Sequence, residues 1–393
     1  MPQTIQESFS LNLKLMKLNG YDPIKLGKNC WYDVYGNILY IFSAWLFSIL
    51  AALVPTQKEN LNMDILFDTL YLLPQMMILT VKVVPFLYRK QKVNNLLNRF
   101  YKDDFLPKLP EHEAIVENCS RECKNLSAFF IYSSSVSWLL WVTKPFYTNE
   151  QILPYEIYLP FEMSTGNFVY YIIYLYISLS VLYGATSNSS IDCLISGMIY
   201  HASGQIKILK DKLSNVGRRA DDYVSHIQNE KEKKKSRNVF ISRRMRENLD
   251  HYDNIISFVK ELENVFTSTP FIQLCVGTIV ICLTCFRMIY IDPISTNFFF
   301  LVLFCITIVF QIYMFCHFGN ELNYESSSIG NAIYMSDWYT FDSEARRMVL
   351  MLMERAKKPL IFKAGNLLPL SIGTFVSIME TTYSLLAVLQ NRK

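Results

Sequence analysis

Charge is scarce in this sequence, and over long stretches it is missing. Only 18% of the 393 residues are Asp, Glu, Lys or Arg, against 51% hydrophobic, and the charges collect in loops between seven mostly apolar runs. Such a pattern excludes an ordinary cytosolic enzyme, a secreted disulfide scaffold and a nucleic-acid-binding domain. Metal-ligand spacing is also lacking: His112, His201, His226, His251 and His317 are scattered, and Cys119 with Cys123 is a lone pair. With no Walker motif, dinucleotide fingerprint or nucleophile elbow, nothing points to an enzyme or to a cofactor. The first 30 residues alternate apolar and basic positions, with neither a continuous apolar core nor a small-residue cleavage site. The amino terminus is therefore expected to be retained.

What is present is a set of runs long enough to cross a bilayer, which takes about 20 apolar residues. They cover residues 35–54, 65–87, 126–146, 168–200, 266–290, 298–318 and 367–389, and are called spans 1 to 7 below. The clearest are "ILYIFSAWLFSILAALV" in span 1 and "FFFLVLFCITIVFQIYMF" in span 6. Spans 2 and 7 are interrupted by prolines or acids. Lys and Arg alternate sharply between loops: 32 of the 38 fall in the amino-terminal tail and the loops after spans 2, 4 and 6, and only 3 in the other loops and the carboxyl tail. Basic loops stay on the cytoplasmic side. The expected fold is thus an all-α membrane protein with seven transmembrane helices, amino terminus cytoplasmic and carboxyl terminus extracellular, the reverse of a G-protein-coupled receptor. Of the nine cysteines, none falls in an outer loop where it could form a disulfide.

Six segments follow: a cytoplasmic tail (1–34), spans 1–4 (35–200), a cytoplasmic helical region (201–265), spans 5–6 (266–318), a second cytoplasmic region (319–366), and span 7 with its tail (367–393). The second half of span 4, "GATSNSSIDCLISGMIY", is too polar to face lipid and reads as a helix leaving the membrane. Ile206, Leu209 and Leu213, and then Leu249, Tyr252, Ile256, Val259 and Leu262, form apolar stripes at helical spacing. These can pack on one another or on a neighbouring subunit. Residues 217–238, with "EKEKKKSR", are expected to be a disordered hairpin tip. Trp338, Tyr339, Met348 and Leu352 suggest further helix in the second region.

Ionisable groups inside spans are costly and point to function. Lys144 and Arg287 lie at outer span ends and Lys82 near an inner one, where snorkelling to the interface is expected; Asp68 lies near the outer end of span 2, and Glu380, well inside span 7, should face water or a partner. Aromatic residues with a few hydroxyls recur at helical spacing in the outer halves of spans 2 to 5: Phe67 and Tyr71; Ser134, Trp138 and Trp141; Tyr171, Tyr174 and Ser178; Leu283, Phe286 and Tyr290. Any one ring can serve as an interface belt. The convergence of four helices favours a pocket for a small apolar ligand, with Phe67, Tyr71, Ser134, Trp138, Tyr171, Tyr174, Leu283 and Phe286 as candidate lining.

The carboxyl-terminal third, "RRMVLMLMERAKKPLIFKAGNLLPLSIGTFVSIMETTYSLLAVLQ" (346–390), resembles the insect odorant receptors, in which a basic helix, a "kPL…aG" turn and a final span with a Tyr-Ser aliphatic run recur in order. Residues 316–339, the loop "LPYEIYLPFEM" (153–163) and the spaced Asp192, His201, Gln205 and Leu209 are also similar. The resemblance implies an odorant-gated non-selective cation channel in the plasma membrane of olfactory neuron dendrites, formed as a heterotetramer with a co-receptor. The cytoplasmic helices would then be its anchor and span 7 its pore lining. Thr382, Leu386 and Gln390 share one face of span 7, with Leu389 beside them, and the family's gate maps best to Leu386. The related gustatory receptors are the alternative: there Thr-Tyr is followed by five residues before Gln-Phe, whereas here six separate Tyr383 from Gln390. A transporter would need inverted repeats, which are lacking.

Overall fold

The computed structural model describes residues 3–24, 30–57, 71–147, 153–160 and 168–391, and almost all of them are helical. Span 1 runs through Cys30–Tyr40, a π turn at Ile41–Leu46 and Phe47–Ala52. Span 2 is the short helix Leu73–Tyr88; Phe67 and Asp68 lie outside the described residues. Spans 3 to 6 are Pro110–Tyr147, Phe168–Ser214, Ser268–Met288 and Thr296–Ser327. Span 7 is Ile372–Asn391. Among the described residues, six helices are long and apolar enough to cross a membrane, and Leu73–Tyr88 is a shorter apolar one.

The span 4 helix has 47 residues, about 70 Å at 1.5 Å per residue, more than twice the roughly 30 Å hydrocarbon core. Most of its polar second half is enclosed. Ser187, Ser189, Ser190, Asp192 and Ser196 are all essentially inaccessible, enclosed by the surrounding helices. The hydroxyls turn back on the helix, Ser189 donating to the Ala185 carbonyl at 2.8 Å, Ser190 to Thr186 at 2.5 Å and Ser196 to Asp192 at 2.6 Å. Small residues with self-satisfied hydroxyls let neighbouring helices approach closely. Among these neighbours is the amino-terminal helix Gln3–Leu18, which lies on spans 3 and 4. The spaced residues of the span 4 extension all have structural partners. Ser8 Oγ bonds to His201 Nε2 at 3.1 Å, Gln205 Nε2 donates to the Phe105 carbonyl at 3.0 Å, and Leu209 is fully buried.

Beyond the membrane the extensions of spans 3, 4 and 6 are joined by Lys90–Arg99, Val216–Tyr223, Glu230–Phe266 and Ser343–Ala356. The two apolar stripes meet here: Ile206, Leu209, Leu213, Tyr252, Val259 and Leu262 belong to one continuous core. The expectation of disorder over 217–238 is corrected, because Glu230–Phe266 is one helix of 37 residues. Asn229 caps it, accepting from the Lys231 amide at 3.1 Å. Glu and Lys are strong helix formers, and two nonlocal contacts hold the segment: Arg237 pairs with Asp221 at 2.6 Å, and Phe240 stacks on Tyr223 at 4.8 Å. In the second region Leu352 is buried on Ser343–Ala356, while Trp338 and Tyr339 form a 3₁₀ turn.

Span 7 begins five residues later than its hydropathy suggests, because the chain first makes a two-stranded antiparallel ribbon, Lys363↔Pro369 and Ala364↔Leu368. Gly365 and Asn366 turn it with φ of +62° and +59°. Thr374 N then donates to Ser371 Oγ at 3.2 Å to start the helix. Where this lead-in crosses span 6, a Cβ on Gly319 would lie 2.5 Å from the Leu370 carbonyl oxygen, so only glycine fits. Span 7 packs on spans 5 and 6 along one side. The rest of its surface is left uncovered by the described residues.

Candidate ligand cavity and the span 7 face

A cavity of about 90 Å³ lies among spans 2, 3, 4 and 6. Helical spacing brings its lining together: Phe130, Ser134, Trp138 and Trp141 from span 3, Phe300, Phe304, Thr307 and Gln311 from span 6, Gly184 and Asn188 from span 4, and Gln75 and Met76 from span 2. Met76 fits over Gly184, whose missing Cβ would sit 2.5 Å from the Met76 sulfur. The rings are fixed by hydrogen bonds. Trp138 Nε1 donates to the Ser178 carbonyl and Trp141 Nε1 to the Tyr71 hydroxyl, both at 3.0 Å, and Tyr71 presents itself edge-on to Phe300 and Phe304 at 6.0 and 5.6 Å. The result is a wall of oriented aromatic surface in which the indole N–H groups are already engaged.

The structure brings Ser134 and Trp138 into this lining. Tyr71 stands just beside it, bordering a smaller cavity with Trp141 and Arg287. Tyr171 is 58% exposed on the outside of the bundle. Tyr174 donates to the Val142 carbonyl at 2.5 Å and stacks on Tyr170, so it braces spans 3 and 4 and does not line the cavity. Leu283 and Phe286 on span 5 do not reach it, and Phe286 packs on Tyr290 at 5.1 Å. The face of span 4 turned inward is Ile173, Ile177 and Val181, not the tyrosine face. Both faces are apolar or aromatic, so the helix rotation is not readable from hydropathy. Sequence reasoning missed the span 6 contribution, although Gln311 is the one amide in "FFFLVLFCITIVFQIYMF". A lone polar side chain at that depth was the available signal.

Gln311 also joins the cavity to a buried ionic network. The snorkelling expected of Lys82 is corrected: its ammonium lies 2.7 Å from Asp192 Oδ2, and both side chains are 0% exposed. Gln311 Nε2 donates to the same carboxylate oxygen, and Gln273 Nε2 donates to Gln311 Oε1 at 2.8 Å. Spans 2, 4, 5 and 6 are thereby tied together at one level. Lys82 stays inside because Asp192, on the enclosed face of span 4, supplies a counter-charge that water would otherwise supply.

On span 7, Thr382 is buried within its own chain, its hydroxyl donating to the Ile378 carbonyl at 2.8 Å. Leu386 is half-buried, and Leu389 and Gln390 are exposed. Glu380 is also exposed, facing away from the bundle of its own chain.

Residues 62–383 match the sequence pattern of the family described as 7tm Odorant receptor. Odorant receptor Or1 of Anopheles gambiae is 25% identical over 415 residues, spanning 98% of this chain and 95% of that protein. Odorant receptor 46a, isoform A, of Drosophila melanogaster is 20% identical, spanning 90% of each. In fold, the chain is similar to the insect olfactory receptor OR5 from Machilis hrabei solved in complex with eugenol, with a TM-score of 0.84 at 14% identity over 100% of both chains.

Proposed function

Because the chain belongs to the insect 7tm odorant receptor family, we propose that it is the odorant-tuned subunit of a ligand-gated, non-selective cation channel that assembles with a co-receptor as a heterotetramer. A small volatile binds in the cavity among spans 2, 3, 4 and 6, and span 7 lines a central pore. The observation that carries this reading is the cavity itself, walled by oriented rings and ending on Gln311, which shares hydrogen bonds with Asp192 and Gln273. Span 5, which carries Gln273, packs on span 7, so a ligand that favours one arrangement of spans 4 and 6 has a mechanical route to the pore helix.

A ligand opens a channel only by binding the open state more tightly than the closed one. Aromatic walls supply affinity, and a change in their spacing between states supplies the difference. In the pore, Leu386 forms an apolar constriction that closes by dewetting, with Thr382, Leu389 and Gln390 on or beside the same face. The basic loops favour a cytoplasmic amino terminus and an outer carboxyl terminus, an orientation in which the cavity would open in the outer half of the bilayer. The family match leaves no reason to retain the gustatory alternative. Co-expression with an odorant co-receptor in cells otherwise lacking both, followed by a panel of volatiles, tests the proposal. Ligand-evoked cation current should require both chains. Robust current from this chain alone would refute the heteromer.

A further inference from the structure

The cavity walls are not uniformly satisfied. Among the described residues, two lining side chains hold a buried polar atom without a hydrogen-bond partner: Gln75 Nε2 on span 2 and Asn188 Oδ1 on span 4. Gln75 is only 7% exposed. Three other polar side chains of the lining are already engaged: the Thr307 hydroxyl donates to the Leu303 carbonyl at 2.8 Å, the Ser189 hydroxyl to Ala185 at 2.8 Å, and both ends of the Gln311 amide lie in the Asp192 network. A buried amide with an unmet donor or acceptor is costly to the folded chain unless something supplies the missing partner.

From this we infer that the cavity takes small, mostly apolar molecules carrying one hydroxyl group, with Gln75 and Asn188 as the residues that select for it. The inference rests on the reading of this cavity as the odorant site and names its ligand class. A hydroxyl both donates and accepts. One oxygen can therefore accept from Gln75 and donate to Asn188, whereas a carbonyl or ether can answer only the donor and a hydrocarbon answers neither. The aromatic walls of Trp138, Phe300 and Phe304 take the remaining apolar part of the molecule. The direction of preference is the telling feature. A purely apolar cavity would favour a hydrocarbon over its hydroxyl isostere, because the alcohol gives up bonds to water on entering. Only a cavity that returns those bonds reverses the order.

The test compares 2-phenylethanol with propylbenzene, in which a methyl replaces the hydroxyl, and with 2-phenylethyl methyl ether. Binding is read by tryptophan fluorescence of the full chain in lipid nanodiscs, and current in cells that also express the co-receptor. The natural chain should bind the alcohol at least about tenfold more tightly than either analogue. In the paired variant Gln75→Leu/Asn188→Leu the order should reverse toward propylbenzene. Equal or tighter binding of propylbenzene by the natural chain, no binding of the alcohol, or an alcohol preference that survives in the paired variant would overturn the inference. The natural-chain comparison stands even where the variant fails to fold. Selective binding of the alcohol without any current would leave the ligand class standing and count against the channel reading alone.

Discussion

Breaking the Lys82–Asp192 pair from one side leaves a buried charge without compensation, since neither residue is accessible to water. Lys82→Met alone should cost about 3–5 kcal/mol of stability, and Lys82→Met with Asp192→Leu should recover most of it, because paired burial of two charges contributes little net energy. Thermal unfolding of the purified chain in detergent reads both; equal loss in the single and paired variants would contradict the argument. His251 makes a second prediction. Its ring sits between Gln205 Oε1 at 3.1 Å and Lys212 Nζ at 3.2 Å, and burial, with Lys212 adding to it, holds its pKa down from 6.5 to about 3. Between those values the unfolded chain binds a proton that the folded chain does not, so stability falls as pH drops from about 6.5 toward 3. The melting temperature should fall between pH 7 and pH 5. His251→Gln should shrink that fall, and an unchanged pH dependence would remove His251 as its cause.

At the scale of elements, the helix Glu230–Phe266 separates two accounts of one charged run. In a disordered tip a proline costs nothing, whereas inside a helix it removes a hydrogen bond and clashes with the preceding turn, at about 3 kcal/mol. Lys235→Pro should therefore destabilise the extramembrane bundle and speed amide exchange from residue 235 onward, measured by hydrogen–deuterium exchange. Full exchange of those amides within seconds in the natural chain would restore the disordered account. The run was misread because composition alone cannot register Asn229 as a cap or foresee that Tyr223 and Phe240 would stack across the hairpin. The apolar stripes on 206–213 and 249–262 were legible, since a 3.6-residue period needs no knowledge of the partner.

For the molecule as a whole, the cavity and span 7 should be separable in function. Trp138→Ala, which removes part of the cavity wall, should reorder which volatiles activate by about tenfold or more, with the permeating ions unchanged. Substituting Leu386 or Gln390 should change conductance or ion selectivity for every agonist alike. Current–voltage recordings across an odorant panel distinguish the two. Ion selectivity that moves with Trp138 while Leu386→Ala only reorders odorants would mean the two regions have exchanged roles.

The sequence alone determined the order of the apolar helices, the helical class and the family, because bilayer thickness, helical period and a long carboxyl-terminal motif are local properties of the chain. It also placed Ser134 and Trp138 on a face that lines the cavity. Only the tertiary structure decided which way each span is rotated. That rotation turned Tyr171, Leu283 and Phe286 away, brought Gln75, Asn188 and Phe304 in, and paired Lys82 with a carboxylate 110 residues distant. In an apolar solvent a helix has no wet face to mark its outside, so the choice among its apolar sides is made by the packing of all its neighbours at once.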